Sequence, residues 1–246
     1  MSEMRQESDI RIGVLVPTGN SVHEREFAGL ATQGVNFRFE DFSYPPAGSA
    51  EFCGAFVSRL SQPIAALAEW GANLVLVGCT TASMTCASPE FTAELEAIAG
   101  IPVITAADAG REAVAALNVR SVSVATPYGA LNNTIIAGFL ASLEVDVAAI
   151  AGMDLDRSVP VWLAGQAGLT TERVLEFSMA VDVETAQALY LPCTGMCSLE
   201  VIDRFERRTG KVAFSSVQSG YWASLRRLGI DGRRPGNGRL LEIWDF

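Results

Sequence analysis

Leu191-Pro192-Cys193-Thr194-Gly195-Met196-Cys197-Ser198 follows directly on the apolar run Ala188-Leu189-Tyr190-Leu191, so a cysteine and several small or hydroxyl residues stand at the end of a buried-type strand. The same design occurs upstream in Asn73-Leu74-Val75-Leu76-Val77-Gly78-Cys79-Thr80-Thr81-Ala82-Ser83. A thiol at the carboxyl end of a parallel strand, with a helix starting just beyond it, sits among free backbone N–H groups at the positive end of a helix dipole. Both favour a thiolate and any bound carboxylate. A single buried cysteine in a long chain is ordinarily a small hydrophobe. Repetition of the setting instead marks Cys79 and Cys193 as two thiols of one active site.

Other marks share nearly the same period. Cys193 lies 114 residues after Cys79, and Thr126-Pro127-Tyr128 follows Val16-Pro17-Thr18 at an offset of 110. Pro102-Val103-Ile104-Thr105-Ala106 is matched by Val212-Ala213-Phe214-Ser215-Ser216. The chain therefore reads as two copies of one α/β unit, each beginning with strand-Pro and carrying a strand-Cys in its middle. On this reading the first α/β domain takes residues 1–106 plus 217–246 and carries Cys79, and the second takes 107–216 and carries Cys193.

With 246 residues, 49% of them hydrophobic, the chain can bury a large core as one large or two medium domains. A formal charge of −10 and the lack of any Lys/Arg-rich run argue against nucleic acid or an anionic membrane as partner. The polar first ten residues and the absence of a long apolar run predict a cytoplasmic protein. Five cysteines, an odd number, speak against a disulfide framework in that reducing compartment. Cys53, Cys86 and Cys197 read as structural. The one histidine, His23, is expected at the surface or in a first helical turn, and its solitude excludes His-rich metal sites. Cys193-x-x-x-Cys197 has loose metal-ligand spacing but no second pair to complete a site, so no metal is expected.

Taken in order, residues 11–17 form a central parallel strand ending in Pro17-Thr18-Gly19-Asn20-Ser21, and a helix runs from about Val22 to Leu30. Asn20 is placed to cap that helix and to point into the crevice where open α/β sheets bind ligands. Val35 to Tyr44 alternates as a strand, and Pro45-Pro46-Ala47-Gly48 is a loop able to reach over the site. A helix from about Ser49 to Trp70 follows, with Phe52 and Phe56 assigned to the core. Pro89 after Ser88 starts another helix, ended at Gly100. Tyr128 closes the strand that opens the second copy, and Asn132 and Asn133 lie one turn into the next helix. Residues 152–168 read as an active-site loop. The segments Cys197–Arg208 and Tyr221–Leu228 read as helices, the latter returning to the first half.

These motifs resemble the aspartate/glutamate racemase superfamily, and within it the maleate cis-trans isomerase and arylmalonate decarboxylase branch. The resemblance spans nearly the whole chain. It is carried by Val16-Pro17-Thr18-Gly19-Asn20, Val77-Gly78-Cys79-Thr80-Thr81-Ala82-Ser83, Thr126-Pro127-Tyr128 with Asn132, Pro192-Cys193-Thr194-Gly195, and Ser215-Ser216 ahead of Tyr221-Trp222. It implies an α/β fold of two pseudo-symmetric, Rossmann-like domains with parallel sheets and the active site in the cleft between them. It implies a homodimer or larger homo-oligomer, a small carboxylate or dicarboxylate substrate, and no cofactor. Decarboxylases of the branch resemble this chain at Tyr128 and Cys193 but generally lack the first cysteine, whereas isomerases and racemases carry both.

By resemblance, Cys79 adds as a thiolate to one alkene carbon of maleate, and Cys193 manages the proton from the opposite face. Asn20, Thr80, Thr81, Tyr128, Asn132, Thr194 and Gly195 hold the carboxylates through hydroxyl, amide and backbone N–H groups. Two departures stand out. No Asn occurs between Thr134 and Gly236, where the isomerases usually place one and where Asp154 or Asp156 falls here; Thr18-Gly19 replaces a common pair of serines. A two-cysteine racemase or epimerase of the amino-acid or hydantoin type, an arylmalonate-type decarboxylase, and a non-catalytic acid-binding or thiol-sensing protein are the alternatives.

Overall fold

The run Ile10–Pro17 (β1) is buried over its last six residues, as befits a strand covered on both faces. In this computed structural model, which describes residues 10–45, 51–153, 155 and 169–244, β1 pairs in parallel with Val35–Phe42 (β2) and with Leu74–Val77 (β3). Val103–Thr105 (β4) pairs with β3, so the sheet order is β2-β1-β3-β4. The alternation read in Val35–Phe42 belongs to an edge strand.

The second half repeats the plan. Ser121–Thr126 (β5), Asp146–Gly152 (β6), Ala188–Leu191 (β7) and Val212–Ser215 (β8) form a parallel sheet in the order β6-β5-β7-β8. In each sheet the chain reverses its direction of growth between the first and third strands of the half. Such switch points open a crevice at the carboxyl ends of the strands. The β1/β3 crevice therefore receives Asn20 and Cys79, and the β5/β7 crevice receives Tyr128 and Cys193.

The helices are Ser21–Gly29 (α1), Phe52–Glu69 (α2), Thr80–Thr85 (α3), Pro89–Ala99 (α4) and Ala106–Leu117 (α5). They continue with Ala130–Ser142 (α6), Thr171–Val181 (α7), Leu199–Thr209 (α8) and Ser216–Arg227 (α9), and a 3-10 turn spans Arg239–Glu242. Ser88 caps α4 with Pro89 at its first position, and Thr105 closes a capping box with Asp108 on α5. The last helix begins at Ser216, five residues before the expected Tyr221, because the Ser215 side chain accepts from Gln218 N–H and caps it there.

Strand side chains sort by parity. Leu15, Val75 and Val77 face α2 and α4 in one apolar cluster, and Leu189 and Leu191 face α7 and α8 in another. Val14, Val16, Leu74 and Leu76 join Val122, Val124, Tyr190 and Phe214 in a third, which both halves share with α5 and α9. The Tyr221 hydroxyl donates to Leu30 C=O at 2.6 Å, so α9 does return to the first half. The Gly- and Arg-containing tail packs on α9, where Trp222 Nε1 donates to Ile243 C=O at 2.8 Å.

Three expectations are corrected. Cys53 and Cys86, expected as unpaired structural thiols, form a disulfide that joins the first turn of α2 to the end of α3; Cys79, Cys193 and Cys197 stay free. His23 lies in the first turn of α1 but is fully buried, not at the surface. The helix after Cys193 starts at Leu199 rather than Cys197, because Glu26 of α1 caps it: Oε2 accepts from Ser198 N–H at 2.9 Å, Ser198 Oγ at 2.7 Å and Leu199 N–H at 3.0 Å. Pro46-Ala47-Gly48 and most of the expected active-site loop, Asp154 and Asp156 among it, lie outside the described residues. No helix among the described residues is long and apolar enough to cross a membrane.

Close packing of α9 on β3 depends on Gly220, where a Cβ would stand 2.9 Å from Leu76 Cδ2, whereas a Cβ on Gly138 in α6 would meet nothing within 4 Å. Gly138→Ala is expected to raise unfolding stability by about 0.5–1 kcal/mol through helix propensity. Gly220→Ala, although also helical, is expected to lose about 1–3 kcal/mol to overpacking. Urea unfolding of the two variants checks this; an equal gain in both would contradict the packing described.

Candidate active site

Each half presents its thiol by the same local logic. Strand β3 ends at Val77, Gly78 turns the chain, and Cys79 takes an extended conformation at the N-cap of α3. Gly78 is required there, since a Cβ would come within 2.5 Å of the His23 ring and 2.8 Å of Leu15 C=O. Burial holds His23 neutral, with its pKa lowered to about 3. In the other half β7 ends at Leu191, and Cys193 enters a turn in which Gly195 N–H donates to its Sγ at 3.3 Å.

Across the cleft, Asn20 caps α1 as read from the sequence and also ties the first half to the second. Its Oδ1 accepts from His23 N–H at 3.4 Å as the α1 cap, and its Nδ2 donates to Thr194 Oγ1 at 3.2 Å. Thr194 Oγ1 donates in turn to Gly78 C=O at 3.0 Å. The loop Thr18-Gly19 turns through a left-handed Gly19 (φ 87°), and Thr18 is pinned to Phe42 C=O by both its N–H and its hydroxyl. Gly19 thus supplies a residue free to adopt that φ.

One cavity of about 460 Å³ is lined by Asn20, Cys79, Thr80 and Thr81 from the first half and by Tyr128, Asn132, Cys193, Thr194 and Gly195 from the second. All nine residues singled out in the sequence are brought together. Asn133 is not among them; its Oδ1 accepts from Thr126 Oγ1 at 2.7 Å and it steadies the Tyr128 turn. Thr80 Oγ1 is buried and has no hydrogen-bond partner among the described residues. A buried hydroxyl left unpaired is costly, so its place on the cavity wall suits a ligand oxygen.

Sequence reading missed Tyr44, two residues beyond β2, whose hydroxyl contacts both Cys79 Sγ and, at 3.5 Å, Thr81 Oγ1. Its ring forms part of the rim, with 37% of the residue exposed. The signal was present, because Tyr44 stands at a strand end as the two cysteines do. Tyr128 mirrors it by hydrogen-bonding Cys193. Burial, followed by the charge of the neighbouring thiols, pushes both phenols well above the ordinary tyrosine pKa, so they remain neutral donors. Phe52, expected in the core, stacks on Phe56 and also lines the cavity.

The expectation of a readily ionised cysteine is reversed in the free protein. Burial pushes Cys79 up to about 11 against the hydrogen bonds from Tyr44 and Ala82 N–H, and Cys193 up to about 11 against those from Tyr128 and Gly195 N–H. A helix N-terminus does not offset this at Cys193, since Glu26 takes the first N–H groups of α8. Ionised Cys79 raises Cys193 further, so the pair gives up one proton more readily than two.

A model of the arylmalonate decarboxylase family matches residues 12–241. The chain belongs to that family. Arylmalonate decarboxylase of Bordetella bronchiseptica is 26% identical over 249 residues, covering 97% of this chain and 99% of that one. Maleate isomerase of Nocardia farcinica is also 26% identical over 249 residues, covering 94% and 95%. The solved structure of a cysteine-to-serine mutant of Nocardia farcinica maleate cis-trans isomerase, which holds a covalently bound succinylcysteine intermediate, superimposes with a TM-score of 0.80 at 24% identity, covering 94% of this chain and 98% of that one. The protein is thus an enzyme of the maleate isomerase and arylmalonate decarboxylase family, with both activities equally near in sequence.

Thiolate chemistry follows the raised pKa values. A thiol whose pKa is raised is protonated below that pKa, so alkylation of Cys79 by iodoacetamide is expected to be slower at pH 8 than for a free cysteine and to climb with pH beyond 9. Tyr44→Phe removes a hydrogen bond that favours the thiolate and should slow the reaction further at each pH. Peptide-resolved mass spectrometry measures both; a plateau below pH 9 would contradict the assignment.

Proposed function

We propose that the protein is a cofactor-independent cis-trans isomerase of a small carboxylate, most like the conversion of maleate to fumarate. The observation that carries this reading is the pairing of two free thiols in one cavity, each beside a tyrosine hydroxyl and a backbone N–H. By the family resemblance, decarboxylases of the branch generally lack the first of these two cysteines.

The site loses one proton and Cys79 becomes the thiolate. Its sulfur bonds to one alkene carbon, and the π pair moves onto the other carbon and its carboxylate, held by Thr80, Thr81 and nearby N–H groups. Cys193 protonates that carbon, giving a succinyl thioether. The former double bond, now single, rotates. Cys193 takes a proton back, the pair re-forms the double bond in the trans geometry, and the S–C bond breaks. Tyr128 and Asn132 orient the second carboxylate with Thr194 and Gly195. Atoms and electrons balance without a redox partner.

The near-equivalent surroundings of the two thiols support one second reading, a racemase in which one thiolate removes a proton α to a carboxylate and the other thiol returns one to the opposite face. Solvent deuterium would then enter the substrate carbon at every turnover.

Incubation with maleate followed by NMR tests the leading proposal. Fumarate should form with the wild type, and Cys79→Ser and Cys193→Ser should each lose at least about 10³-fold in turnover. Absence of fumarate from a folded wild-type protein would overturn the maleate assignment. Carbon dioxide release from an arylmalonate by a Cys79→Ser variant would turn the reading to decarboxylation.

A further inference from the structure

The cavity is chemically two-sided. The thiols, Thr80, Thr81, Asn20 and Thr194 make one side polar but uncharged, and among the described lining residues none carries a charge. Phe52 at the start of α2 and Leu131 and Ile135 on α6 make an apolar side drawn from both halves. Leu131 and Ile135 are four residues apart and so share one face of their helix. Leu131 is 75% exposed, against 37% for each of the other large exposed hydrophobics among the described residues, Tyr44 and Met179.

A four-carbon dicarboxylate does not account for this arrangement. Its carboxylates find hydroxyl and N–H donors only on the polar side, since a carboxylate against an apolar wall loses its hydration without compensation. It also leaves much of the 460 Å³ unfilled, a volume within the roughly 300–1,000 Å³ of pockets that take larger, mostly apolar ligands. The remaining space is bounded by Phe52, Leu131 and Ile135, and an apolar substituent placed there removes both its own surface and that of Leu131 from water.

We propose that the substrates are maleates bearing an alkyl or aryl substituent on the double bond, with Phe52, Leu131 and Ile135 as the residues that select it. This rests on the isomerase reading above. Cys79 attacks the unsubstituted alkene carbon, where access is open, and the pair moves to the substituted carbon and its carboxylate. Cys193 protonates that carbon, rotation carries the unsubstituted end past it, and reversal of both steps releases the substituted fumarate.

The test compares maleate, 2-methylmaleate and 2-phenylmaleate in the NMR assay, with wild type and with Leu131→Ser, a substitution at an exposed position outside the apolar core. The expected result is a kcat/KM for 2-phenylmaleate at least about 10-fold above that for maleate, with 2-methylmaleate between them. In Leu131→Ser that preference should shrink about fivefold or more while maleate turnover changes little by comparison. Equal or faster turnover of maleate overturns the inference and leaves the isomerase reading in place. If none of the three isomerises, the reading itself fails, and calorimetry with succinate and 2-phenylsuccinate decides the inference. Tighter binding of the phenyl compound by about 10-fold or more, reduced in Leu131→Ser, keeps the apolar subsite; equal affinity removes it.

Discussion

The hydroxyl of Thr194 is the hinge of the molecule. It donates to the carbonyl of Gly78, the residue before Cys79, and accepts from Asn20 at the end of β1. Since Thr194 itself follows Cys193, a single buried side chain ties together the ends of three strands and the backbones that carry both thiols. The contact is 4% exposed to solvent, and the alternative to making it is an unpaired carbonyl and amide in the interior. Glu26 adds a second tie from the same helix, α1, to the start of α8, so the Cys193 turn is held at both ends by the opposite half.

Burial on this scale has an electrostatic consequence. The site holds its thiols, phenols and hydroxyls away from water with no charged side chain among the described lining residues, so every anion formed in it is disfavoured unless a dipole is aimed at it. The free protein accordingly keeps both thiols protonated, each already in contact with the donor that would stabilise its thiolate. Preorganised donors of this kind need no rearrangement when charge appears. The buried neutral His23 behind Gly78 fits the same pattern, filling space against that glycine without introducing a charge.

The parts of this arrangement that repeat were legible in the sequence. Strand-Cys at residues 79 and 193 and strand-Pro at 17 and 127 specified two parallel units, and the strand-end rule placed Asn20, Tyr128 and their neighbours in one crevice. What does not repeat was not legible. Tyr44 carried only the signal of a strand end, without a repeated motif around it, and its meeting with Cys79 depends on how β2 lies beside β1. Glu26 reaches α8 across 172 residues, which no local pattern announces, and so the delayed start of that helix went unread. The Cys53–Cys86 pairing likewise depends on α2 and α3 lying side by side. The thiol pKa values were misjudged for a physical reason: local sequence suggests the dipole at a strand end, but the depth of burial that outweighs it is a property of the whole fold.

The central claim is that Cys79 forms the bond to substrate while Cys193 moves the proton. Peptide-mapping mass spectrometry of Cys193→Ser after incubation with maleate tests it directly. The account predicts a succinyl adduct on the peptide bearing Cys79, at close to one per chain, and none on Cys197. Water protonates the adduct's carbon in place of Cys193, and the adduct is retained because no thiolate takes that proton back. An unmodified Cys79, or a wild-type adduct found on Cys193 instead, would contradict it.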